Sequence, residues 1–207
     1  MSELEKLAMR VLASEAMEPE ISGRRFVNLS LIGFMGVGKS SVGRVIASNL
    51  HMQVVDTDDL IEGRAGMSIT TIFASEGEKG FRERECEVVR TLEDMERCVI
   101  STGGGLAANP ENVKSLKRHS LVVCLWASPE SIWERVRHQG HRPLLQTKDP
   151  QERIRELLTL REPFYRQADV MVNTERRNLH EVAQHVLHHA RLAGVGTLGF
   201  GGVGGEH

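Results

Sequence analysis

The sequence predicts an α/β protein, a parallel β-sheet with helices packed against both faces. Three observations carry this. Short β-branched runs alternate with helical stretches along the 207 residues, the pattern of a parallel sheet covered on both sides. The runs are apolar throughout, as strands buried on two faces must be. A glycine-rich junction links the first run to a helix-forming stretch, and ligands of open α/β sheets bind outside the carboxyl ends of the strands. The length suits one domain, large enough to bury its own core.

The elements follow in order. Residues 1–24 carry a weak helical period (Leu4, Leu7, Met9, Val11, Leu12) that Pro19 and Gly23 break, and they read as an extension outside the domain. Strands are expected at Val27–Ile32, Gln53–Val55, Cys98–Ser101, Leu121–Trp126 and Val170–Val172. Helix starts are marked where a capping side chain precedes a proline, at Asn109-Pro110, Ser128-Pro129 and Asp149-Pro150. Asp149 with Glu152, and Asn178 with Glu181, have capping-box spacing. Gln139–Asp149 mixes Gly, Pro and charge between two helices and reads as a mobile lid. The domain is thus expected over 25–193, with a flexible Gly-rich tail over 194–207.

Composition excludes several classes. Twenty-six basic residues face 28 acidic ones, for a net charge of -2. A nucleic-acid or anionic-membrane partner leaves a basic excess, and there is none. No apolar run approaches the roughly 18 residues of a membrane span. The N-terminus lacks the apolar stretch of a secretory signal, so the expected location is the cytoplasm. Cys86, Cys98 and Cys124 have no metal-ligand spacing and read as reduced thiols. His180, His185, His188 and His189 read as an exposed polar helix face, and Trp126 and Trp133 as packing residues.

Chemistry concentrates after the first three strands. Gly33-Phe34-Met35-Gly36-Val37-Gly38-Lys39-Ser40 matches the P-loop pattern and is followed by Ser41. Such a loop turns successive N–H groups toward phosphate oxygens at a helix N-terminus. Lys39 then reaches the β- and γ-phosphates, and the Ser40 hydroxyl suits Mg²⁺. At the end of the second strand, Asp56 and Asp58 stand two apart on an expected extended segment and so point the same way. One suits a metal-bound water and the other a substrate hydroxyl. After the third strand, Gly103-Gly104-Gly105 exposes backbone to a ligand. Arg82, Arg142 and Arg161 offer the planar fork that fits a carboxylate or phosphate.

The chain resembles the shikimate kinases in the order GFMGVGKS, DTD with Ile61-Glu62, EGEKGFRERE, STGGG, HRPLL and REPFY, from about Phe26 to Leu192. The P-loop alone is shared with many nucleotide enzymes; the triple glycine, RPLL and R-x-P-x-Y segments are particular to this family. The resemblance implies a three-layer P-loop kinase fold with five parallel strands in the order 2-3-1-4-5. It implies phosphorylation of the 3-hydroxyl of shikimate by ATP with Mg²⁺, on the way to chorismate and the aromatic amino acids, in a monomer. Lys39, Asp58 and Arg142 take the catalytic roles. Gly33, Met35, Gly36, Val37, Gly38, Lys39, Ser40, Ser41, Arg142 and, more loosely, Arg177 bind ATP. Asp58, Arg82, Gly103, Gly104, Gly105 and Arg161 bind the acid. Ser40, and Asp56 through water, hold the metal. A gluconate-type sugar-acid kinase and a non-catalytic nucleotide-binding relative are the alternatives.

Overall fold

The computed structural model describes residues 23–138, 143–145 and 147–196. The N-terminal extension up to residue 22, the tail from 197, and residues 139–142 with Arg142 lie outside the described residues, as does 146.

Five parallel strands form the sheet: β1 (Asn28–Ile32), β2 (Gln53–Asp56), β3 (Cys98–Ser101), β4 (Ser120–Trp126) and β5 (Val170–Asn173). Their order is β2-β3-β1-β4-β5. Leu29 is in register with Val99 on one side and Leu121 on the other. The helices are α1 (Lys39–Leu50), α2 (Thr57–Ala65), α3 (Ile69–Leu92), α4 (Pro110–His119), α5 (Pro129–Val136), α6 (Pro150–Tyr165) and α7 (Leu179–Leu192). β1, β3, β4 and β5 are buried along their whole length, as apolar runs require. β2 departs from that expectation: it lies at the sheet edge, and its Val54 is 45 % exposed.

The expected caps are in place. Asn109, Ser128 and Asp149 each accept a backbone N–H of the helix they precede. Asn178 and Glu181 form the full reciprocal box; of the Asp149 and Glu152 box, the Asp149 half is made. His189 corrects the reading of the α7 histidines, because it is buried while His180 and His188 are exposed. Its position three residues after Val186 puts it on the helix's apolar face. Trp126 is buried and Trp133 packs on the core. The three cysteines are free. Val195, which the sequence assigns to the tail, is buried, and its N–H donates to the Ala190 carbonyl.

One large core fills both faces of the sheet. A second, small cluster of Ile61, Ile72, Phe81 and Val88 sits apart from it, between α2 and α3. That cluster sustains a lobe beside the carboxyl ends of β2 and β3. No helix among the described residues is long and apolar enough to cross a membrane.

Candidate active site

The loop between β1 and α1 curls as its glycines allow. Gly36 stands at φ 77°, and a Cβ there would lie 2.5 Å from the Val136 side chain, so only glycine fits this turn against α5. Lys39 is buried, and its Nζ donates to the carbonyls of Gly33 and Phe34 at 2.9 and 2.8 Å. The ammonium thereby braces the loop from inside. Ser40 Oγ donates to Asp56 Oδ2 at 2.9 Å and lies 3.1 Å from Ser101 Oγ.

The paired-aspartate reading needs a correction. Asp56 ends β2, but Asp58 stands in the first turn of α2 and not on an extended segment. Asp56 is the N-cap, and its Oδ1 accepts the Asp58 N–H at 3.1 Å. The Asp56 carboxylate therefore serves both the helix start and Ser40. Asp58 and Asp59 in this turn also suit the positive end of the helix dipole.

The three glycines make room for side chains as much as for a ligand. A Cβ on Gly103 would lie 2.5 Å from Asp58 Oδ1, one on Gly104 2.9 Å from the Met35 backbone nitrogen, and one on Gly105 2.4 Å from Arg82 Nη1. The Gly103 N–H is held by Thr57 Oγ1 at 2.9 Å. Gly104 turns its carbonyl to α6, where Arg161 Nη1 and Tyr165 Oη donate to it at 2.9 and 3.1 Å. Arg161 is 3 % exposed and lies over the Phe34 ring.

Arg82 projects from α3 and donates to Glu85 Oε2 at 2.6 Å and to Glu78 Oε1 at 2.8 Å. Burial works against its charge, but the two carboxylates together hold its guanidinium above the ordinary range. Glu85 is 1 % exposed. Burial, the larger influence, pushes its carboxyl up to about 7 against the pull of Arg82.

Two cavities result. One of about 280 Å³ is lined by Asp58, Glu62, Phe73, Arg82, Gly103–Gly105, Leu144 and Arg161 among others. The other, about 340 Å³, is lined by Gly36, Gly38, Lys39, Ser40, Ser41, Asp56 and Thr102. Met35, Asp58 and Gly104 line both. The P-loop, the aspartates, the triple glycine and two of the three arginines thus converge outside the carboxyl ends of β1, β2 and β3. Arg177 lines neither cavity; its Nη1 donates to the Asn173 carbonyl at 2.9 Å beyond β5.

A shikimate kinase family model matches residues 35–191, a span that contains every residue of the two cavities. The chain belongs to the shikimate kinase family. It is accordingly a kinase, a phosphotransferase built on the P-loop. A shikimate kinase of Thermus thermophilus is 48 % identical over 160 residues, 77 % of this chain and 87 % of that protein. One of Thermodesulfovibrio yellowstonii is 44 % identical over 160 residues, covering 77 % and 92 %. The solved structure of the Acinetobacter baumannii shikimate kinase in complex with shikimate superposes with a TM-score of 0.75 at 36 % identity, over 84 % of this chain and 94 % of that one. A gluconokinase from Sinorhizobium meliloti superposes at 0.56 with 22 % identity, so what it shares is the fold.

Glu62, Glu85 and Tyr165 fall inside the DTD, EGEKGFRERE and REPFY segments, but the sequence assigned no role to them, and Phe73 lies outside every motif. Glu85 left a signal all the same. It falls four residues after Phe81 and three before Val88, in the buried stripe of α3. A carboxylate in an apolar stripe is a buried charge that needs a partner.

Proposed function

We propose that this enzyme transfers the γ-phosphoryl group of ATP to the 3-hydroxyl of shikimate, giving shikimate 3-phosphate and ADP on the route to the aromatic amino acids. The observation that carries the reading is the shared wall. Asp58 faces the cavity with the two arginines and also the cavity with the P-loop. An acid in the first and ATP in the second meet at that carboxylate.

Arg82 and Arg161 grip the carboxylate of the acid, and the other end of the ring then lies toward Asp58. Asp58 orients the hydroxyl and accepts its proton as the oxygen attacks the γ-phosphorus and the bond to the ADP oxygen breaks. The protein does little covalent chemistry; it lines the reactants up and offsets charge. The P-loop N–H groups and Lys39 hold the phosphates, and Lys39 meets charge that grows as the group transfers. Arg142 joins them by the family resemblance alone.

The donors near Lys39 fit Mg²⁺. Ser40 Oγ and Asp56 Oδ2 are hard oxygens 2.9 Å apart. No group of three or more His, Cys, Asp or Glu among the described residues forms a closed cage. Mg²⁺ is commonly held this way, by one or two protein oxygens, water and phosphate. Ser40 would be its direct ligand and Asp56 would reach it through water; when bound with ATP, the ion neutralises phosphate charge.

Steady-state assays with shikimate, with gluconate and with no acceptor test the reading. Turnover should require shikimate. Lys39→Ala should lower kcat about 100-fold or more, the scale of one strong transition-state contact. Equal turnover on gluconate, or wild-type kcat in that variant, would exclude it.

A further inference from the structure

Helix α3 is two helices joined at a break. Gly77 stands at φ 71°, ψ −174°, a conformation that essentially only glycine adopts. The eight residues before it, 69–76, form a stub that brings Ile69, Thr70 and Phe73 to the acid cavity. The residues after it bring Phe81 and Arg82 to the same cavity. The angle at Gly77 therefore sets how far these two walls stand apart.

The stub is pinned at both ends. At its start, Glu62 Oε1 accepts the Ile69 N–H at 2.8 Å. At its end, Glu76 reaches across the break to Arg84. Arg84 Nε donates to Oε2 at 2.9 Å and Nη2 to Oε1 at 2.7 Å, a two-bonded fork. Gly80 makes this possible, since a Cβ there would lie 2.5 Å from Glu76 Cβ and 2.9 Å from its Oε2. The hydrogen bond from Arg84 holds the Glu76 carboxyl below its usual range. Among the described residues, the stub's apolar support is the small cluster of Ile61, Ile72, Phe81 and Val88, with the Phe73 ring 4.8 Å from that of Phe81. A segment with so small a core opens more readily than one on the main core, so its polar pins count for more.

We propose that Arg84 is a positioning residue for acceptor binding. It lines neither cavity. Through Glu76 it holds the 69–76 stub at the angle that sets Ile69, Thr70 and Phe73 against the acid. The proposal rests on the reading of that cavity as the shikimate site, and its test separates the two.

The test compares Arg84→Ala, Arg84→Lys, Glu76→Gln and the double variant with wild type, with Arg82→Lys as the control for the site. Amide hydrogen exchange over 69–76 is measured in the ligand-free proteins, and kcat and both KM values in the assay. Arg84→Ala and Glu76→Gln should each quicken exchange over 69–76 and leave α1 and α4 protected. Each should raise the shikimate KM about threefold to fivefold, the scale of a partly exposed ion pair, with the ATP KM unchanged. Arg84→Lys keeps charge but loses the fork, and should fall between. The double variant should be no worse than either single one. Unchanged exchange in Arg84→Ala, or an equal rise in both KM values, overturns the proposal. If Arg82→Lys raises the shikimate KM and Arg84→Ala does not, the site stands and the role of Arg84 falls. If neither variant moves it, the acid binds elsewhere and both readings fall.

Discussion

Glu85 is a buried acid bonded to Arg82, the arginine proposed to grip the carboxylate of the substrate. Its carboxyl is held up to about 7 by burial, with Asp58 adding to the rise, and Arg82 and Arg161 opposing it. A substrate carboxylate beside it raises that value further, so binding the acid takes up a proton. By linkage, the acid binds more tightly as pH falls toward about 7 and levels off below it. The shikimate KM should therefore drop from alkaline to neutral pH, and Glu85→Gln, which carries the neutral form at every pH, should flatten the profile. A profile of the same slope in both proteins would show that another group titrates. The same residue bears on stability. Its folded value is raised above 4.5, so its contribution is full below that pH and is lost as pH rises through about 7.

At the scale of elements, the turn after β3 shows how a loop without bulky side chains positions those of its neighbours. The Gly105 position is filled by the Arg82 guanidinium, which Glu85 and Glu78 prevent from swinging aside. Gly105→Ala should displace Arg82 and raise the shikimate KM about tenfold or more, the scale of a lost charge-assisted pair, while the ATP KM changes little. Gly104→Ala presses on the Met35 backbone nitrogen instead, so it should raise both. Steady-state kinetics of the two variants distinguish these outcomes. The same edge marks where sequence reading stops. Val54-Val55-Asp56-Thr57-Asp58 has the composition of a strand end, and it reads as extended chain through Asp58 although the strand itself is expected to stop at Val55. The Asp58 N–H donates to Asp56 Oδ1 and a helix starts there, and side-chain capping overrides a weak local preference. The break at Gly77 is equally quiet, because a glycine inside a helical pattern signals a weak point but no angle.

Across the whole molecule, the strands, the helix starts and the P-loop were legible because each rests on local pattern: apolar runs, capping residues before prolines and a fixed motif. The order of the strands came from the family resemblance, since pairing between distant segments leaves no local mark. The separate lobe was not legible, since which apolar residues join the main core and which join the small cluster depends on packing between distant segments. The opposite end of the sheet offers another test. His119 is buried, with Nδ1 2.9 Å from Asn28 Nδ2 and 3.0 Å from Ser120 Oγ. Asn28 Oδ1 already accepts the Cys98 N–H, so its amide donates to Nδ1, which must stay unprotonated. Burial lowers the His119 pKa from 6.5. A depressed value means stability that is full above about 6.5 and lost as pH falls through the folded value. The wild-type Tm should fall on acidification below that point, and His119→Gln should remove this component of the fall. An unchanged acid slope would assign it to other groups.

The wall shared by the two cavities divides the labour of evolutionary change. Met35, Asp58 and Gly104 line both cavities, so on the proposed reading a change there disturbs donor and acceptor together. Ile69, Thr70 and Phe73 line only the cavity proposed for the acceptor, and they ride on a lobe with its own small core. A lineage that takes up a new hydroxylated acid can rebuild this lobe and keep its phosphate end intact. Acceptor preference should then drift one lobe at a time, while the machinery for handling ATP stays fixed beneath it.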